Sequence, residues 1–98
     1  MALEFDTRER YMREFENLTS DTDPFSLEAG KYRLTWRAEK MGVAVLRQDL
    51  EDGRHRYLWR SDHRTGVTRP VELASGDYRI VLSNGTSGLN VTITVSDE

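Results

Sequence analysis

Cysteine is absent from the 98 residues, which removes disulfides, thiol nucleophiles and zinc–thiolate sites from consideration. Histidine occurs only as His55 and His63. Neither stands at a metal-binding spacing from a second ligand or in a recognisable Ser/His/Asp arrangement. Exposed strand and loop imidazoles are therefore expected, with no metal and no cofactor. No apolar run approaches the roughly 20 residues of a membrane-spanning helix, and the opening Met-Ala-Leu-Glu-Phe-Asp lacks the basic and then apolar pattern of a secretory leader. As written the chain begins in the cytoplasm, although a mature extracellular domain placed behind a start methionine would read the same way.

What is present is a folding composition. Hydrophobic residues make up 37% and charged residues 32% of the chain, enough apolar side chain for one modest core and hence one domain. The formal charge of −3 is laid out unevenly. Residues 1–30 carry eight acids and three bases, residues 31–69 five acids and ten bases, and residues 70–98 four acids and one base. A basic middle between acidic ends most often neutralises itself on the folded surface. The negative total also argues against a nucleic-acid partner.

One pattern is written twice. Phe25 to Trp36 reads F-S-L-E-A-G-K-Y-R-L-T-W and Val71 to Leu82 reads V-E-L-A-S-G-D-Y-R-I-V-L, so that Leu27, Gly30, Tyr32 and Arg33 recur 46 residues later as Leu73, Gly76, Tyr78 and Arg79. Between and around these copies the apolar period is two. Tyr32, Leu34 and Trp36 alternate with Lys31, Arg33, Thr35 and Arg37, and Leu89, Val91, Ile93 and Val95 alternate with polar residues, as half-buried strands require. Further strands are predicted over 43–49, 55–60, 67–73 and 77–83. Asp52-Gly53 and Asn84-Gly85 read as hairpin turns, and Gly30 as a turn glycine needing positive φ.

Seven or eight short strands of this kind predict an all-β fold, a two-sheet antiparallel β-sandwich of jelly-roll-like form with an internal pseudo-repeat. Residues 1–22 form an N-terminal segment and residues 23–98 the sandwich. Within that segment two periods compete: Tyr11, Phe15 and Leu18 share a helical face, while Arg13 to Leu18 also fits a first strand with Phe15 buried. Tyr32 and Tyr78, each just past a turn, are expected to anchor crossings between the sheets through their hydroxyls.

From Phe15 onward the chain resembles the small bacterial β-sandwich modules of the pre-peptidase C-terminal type and related jelly-roll accessory domains. The likeness rests on the F-x-L-x-x-G-x-Y stretch from Phe25, the L-x-x-G-x-Y-x-h stretch from Leu73 and the closing strand Val91-Thr-Ile-Thr-Val95. The resemblance implies a non-catalytic accessory or binding module, often extracellular and appended to enzymes.

The densest cluster of cations and aromatics is Arg54-His-Arg-Tyr-Leu-Trp-Arg60, continuing through His63 and Arg64. Alternation puts Tyr57 and Trp59 in the core and leaves Arg54, Arg56 and Arg60 together outside. Arg54, Arg56, Arg60, His63 and Arg64 are therefore the candidate contact residues for a protein or carbohydrate ligand. Acidic turns at Asp21 and Asp23, and at Asp49, Glu51 and Asp52, offer oxygens to calcium but match no EF-hand loop. Three N-x-T sequons, at Asn17, Asn84 and Asn90, matter only in a glycosylating pathway. The reading is a binding module without catalysis or membrane contact, the alternative being a structural subunit that self-associates through a sheet face or edge.

Overall fold

A computed structural model describes residues 13–96. Nine strands run in chain order: β1 (Arg13–Leu18), β2 (Phe25–Leu27), β3 (Gly30–Arg37), β4 (Ala44–Asp49), β5 (His55–Ser61), β6 (Thr65–Val67), β7 (Val71–Leu73), β8 (Gly76–Leu82) and β9 (Leu89–Val95). All pairings between them are antiparallel, and they form a five-stranded sheet ordered β1-β9-β3-β6, with β7 also on β3, and a four-stranded sheet ordered β2-β8-β4-β5. The all-β, two-sheet expectation holds. Of the helical alternative over 6–18, the part from Arg13 to Leu18 is overturned, because these residues form the strand β1 on the edge of the larger sheet; residues 6–12 lie outside the described residues.

The period-two pattern explains the core. Tyr32, Leu34 and Trp36 of β3, Tyr78 and Ile80 of β8, and Leu89, Val91 and Ile93 of β9 are all buried, as are Ala44 and Leu46 of β4. Trp36 meets Trp59 edge-on across the sandwich with ring centroids 4.9 Å apart, and Phe15 and Phe25 form a second tilted pair at 4.9 Å. Truncating any of the large aliphatics to Ala would cost about 2 to 5 kcal/mol.

The two copies of the doubled stretch pair with each other. Leu27 lies opposite Gly76 and Phe25 opposite Tyr78, while Leu73 lies opposite Gly30 and Val71 opposite Tyr32. Each short strand of one copy therefore sits beside the long strand of the other, in the opposite sheet from its own successor. Both tyrosines close the crossing as expected: the Tyr32 hydroxyl donates to the Glu28 carbonyl at 2.7 Å and the Tyr78 hydroxyl to the Ala74 carbonyl at 2.5 Å. Burial, with Tyr32 close by, pushes the Tyr78 hydroxyl above its ordinary range and keeps it a donor.

A third equivalence precedes these. Thr22 donates its backbone N–H to the Ile80 carbonyl and accepts the Ile80 N–H on Oγ1, each at 3.0 Å. Thr68 does the same with Leu34, at 2.9 and 3.1 Å. Each hydroxyl supplies the acceptor that a ladder carbonyl would have supplied, just before a proline, Pro24 or Pro70, that has no N–H to give.

Three expectations are corrected. The stretch predicted as one strand over 67–73 is broken at Thr68 to Pro70 into β6 and β7, which raises the count to nine. Asn84-Gly85 does form a turn, with Gly85 at φ +94°, but β8 and β9 lie in different sheets, so it redirects the chain and closes no hairpin. Ser83 and Thr86 hold this turn against the start of β4 by accepting the Val43 and Gly42 N–H groups at 2.7 and 2.9 Å. Gly30 is not among the residues of positive φ; it stands in the ladder of β3.

Candidate functional site

The outer face of the four-stranded sheet is built by register. β4 and β5 pair from Ala44↔Ser61 through Val45↔Arg60 and Leu46↔Trp59, then shift by one residue and continue as Arg47↔Tyr57, Gln48↔Arg56 and Asp49↔His55. Leu58 is the extra residue of a β-bulge. Beyond the bulge the β5 side chains exchange faces relative to simple alternation.

This corrects the expectation for the aromatics and arginines. Trp59 is buried, but Tyr57 is turned outward and 62% exposed. Arg60 shares the outer face, whereas Arg56 lies opposite the buried Gln48 on the inner side of the sheet, at its open edge. Arg54 sits in the hairpin turn, where its Nε is 2.6 Å from Asp52 Oδ2 and its backbone N–H donates to Asp52 Oδ1 at 3.0 Å. Those two donors hold the Asp52 carboxyl below its ordinary range. His63 and Arg64 lie beyond the far end of β5. The His63 carbonyl accepts the Trp36 Nε1–H at 3.0 Å while its ring is exposed, and the Arg64 carbonyl accepts the Ala38 N–H at 2.7 Å. The five candidate residues are thus distributed over a turn, two faces and a loop.

What the sheet does bring together is a set of three cross-strand rows. Asp77, Asp49 and His55 form the first, Arg79, Arg47 and Tyr57 the second, and Val81, Val45 and Arg60 the third. In the first row His55 Nδ1 and Arg47 Nε both lie 3.1 Å from Asp49 Oδ1, and Ser26 of β2 donates its hydroxyl to Asp77 Oδ1 at 2.9 Å. In the second row Arg79 Nε is buried and meets no acceptor among the described residues. Neither Arg47 nor Arg79, the latter noted only as part of the doubled stretch, stood out as a site candidate in the sequence, because each is a lone base in its own strand. Only the register of β4 with β8 makes them neighbours.

The acidic turns have other employment. Asp21 accepts the Leu82 N–H at 2.8 Å, and among the described residues no three His, Asp or Glu side chains come close enough to share a metal ion. No known protein family matches this chain, and no curated protein does.

Proposed function

We propose that this protein is a non-catalytic binding module that holds a glycan across the outer face of its four-stranded sheet. The observation that carries the reading is Tyr57, turned out of the core by the Leu58 bulge and set in one row with Arg47 and Arg79. An exposed aromatic ring on a flat face stacks against the apolar face of a sugar ring. Guanidinium groups beside it donate forked hydrogen bonds to hydroxyl and carboxylate oxygens. Arg60 extends the cationic side of this platform, and Asp49, Asp77 and His55 border it on the other.

The architecture supports the kind of module. With the three-residue β7 set aside, the remaining eight strands pair in the orders 1-8-3-6 and 2-7-4-5, the connectivity of a jelly roll. The reciprocal pairing of the doubled stretch supports an internal duplication. The resemblance to pre-peptidase C-terminal-type modules points the same way. Self-association by strand addition has less in its favour, because the free edge of β5 carries a bulge and the charged residues Arg56 and Arg60, both of which discourage pairing.

Calorimetry against a panel of neutral and acidic oligosaccharides tests the proposal. Binding by at least one class, weakened roughly tenfold or more by Tyr57→Ala and by Arg79→Gln, is the expected result. Silence across the panel, or binding indifferent to both substitutions, overturns it.

A further inference from the structure

A second site lies on the other sheet. At the end of β3, Arg37 stands on the outer face between Asn90 of β9 and Thr65 of β6, its register partners on either side. Arg64, Glu39, Ala38 and Gly88 complete a concavity of about 570 Å³ around it, within the range of small-molecule sites. Among the described residues neither Arg37 nor Arg64 has an ion pair, so two guanidinium groups face one hollow without a carboxylate partner.

Its polar lining is arranged. The Asn90 carboxamide oxygen is occupied by the Asn17 N–H at 2.9 Å, which leaves its NH₂ group as the free donor. Gly88, at φ +63°, lets the Glu39 side chain lie against the backbone: a Cβ there would stand 2.8 Å from Glu39 Cγ. Glu39 is thereby kept at the rim as an acceptor, and the site sums two positive charges against one negative.

We propose that this concavity binds a hydroxy-carboxylate of the uronic-acid type. The carboxylate engages Arg37 and Arg64, which are suited to planar two-oxygen recognition. The hydroxyls donate to Glu39 and accept from Asn90 and Thr65. A single negative charge matches the local excess of one, whereas the carboxylate of Glu39 opposes the second charge of a phosphate dianion. This site is on the sheet opposite Tyr57 and stands or falls independently of the proposed glycan platform.

The test is an amide NMR titration with sodium glucuronate at constant ionic strength, run beside glucose and inorganic phosphate. The expected result is saturable shifts confined to residues 37–39, 64–65 and 88–90, at glucuronate concentrations on the order of millimolar, with none for glucose and weaker ones for phosphate. Arg37→Gln and Arg64→Gln should each raise the dissociation constant roughly tenfold with an unchanged melting temperature, as expected for exposed side chains without partners. Glucuronate binding that both variants retain, phosphate binding as tight as glucuronate, or no saturable shift in this region overturns the proposal. Shifts around Tyr57 alone would count for the other face and against this one.

Discussion

Arg79 and Arg47 stand directly opposite each other on β8 and β4, two like charges in one row of which, among the described residues, only Arg47 is tied to a carboxylate. Like charges facing across a ladder are destabilising by a few tenths to about 1 kcal/mol. Arg79→Gln keeps most of the apolar stem and removes the repulsion. Chemical denaturation should show stability raised by roughly 0.2 to 1 kcal/mol, while the proposed glycan binding at the Tyr57 face should weaken. A simultaneous gain in stability and loss of binding is the signature of a charge retained for recognition.

Burial of the Tyr78 hydroxyl makes stability depend on alkaline pH. Its proton is held more tightly in the folded chain than in the unfolded one, so the unfolded chain releases first as pH climbs. Stability from this group is complete below the ordinary tyrosine range and declines above it. Denaturation midpoints measured from pH 8 to 11 should fall, and Tyr78→Phe should flatten that fall while lowering stability at pH 8 by about 1 kcal/mol. Tyr78→Ala, which also empties a fully buried ring site, should cost about 3 to 5 kcal/mol.

Gln48 is buried in β4, and among the described residues its Oε1 atom meets no hydrogen-bond donor. An unsatisfied buried acceptor costs about 1 to 3 kcal/mol relative to a satisfied one. Gln48→Met, close in volume, should therefore leave the melting temperature unchanged or raise it. A drop of several degrees would mean that the carboxamide does more for the fold than its hydrogen bonds indicate.

Deleting Leu58 provides the sharpest check on the bulge. A deletion within a strand ordinarily inverts every side chain beyond it, yet here Trp59↔Leu46 and Tyr57↔Arg47 are already the pairings of an unbroken ladder. The deletion variant should fold, lose about 1 kcal/mol of apolar burial, and keep Tyr57 accessible to a fluorescence quencher. A shielded Tyr57 would show that β5 pairs with β4 in a different register.

Alternation and turn glycines made the sandwich legible, because a buried face every second residue is written directly into Tyr32-Arg-Leu-Thr-Trp36 and Leu89 to Val95. The doubled stretch was also visible, though it begins earlier than its Leu and Gly residues suggest: Thr22-Asp-Pro24 recurs as Thr68-Arg-Pro70. That part escaped because a threonine hydroxyl standing in for a ladder carbonyl leaves no trace in hydrophobic period. The Leu58 bulge escaped because Tyr57-Leu-Trp59 is apolar throughout and fits either phase. The arginine cluster misled for a related reason. Residues close in a strand's sequence are spread over two faces and several turns, while Arg47 and Arg79, far apart in the chain, are side by side.

The exchange of short strands between the two copies also governs how the chain must assemble. Among the described strands only β4 and β5 can meet through a short loop; β2 waits for β8, β3 for β9, and β1 for a strand more than 70 residues away. Loop-closure entropy is therefore spent before most of the core can form, which predicts slow, all-or-none kinetics for so small a domain. Neither half has a self-sufficient sheet. Cut in the loop after β5, the two fragments should each be unstructured alone and should recover the fold only when mixed.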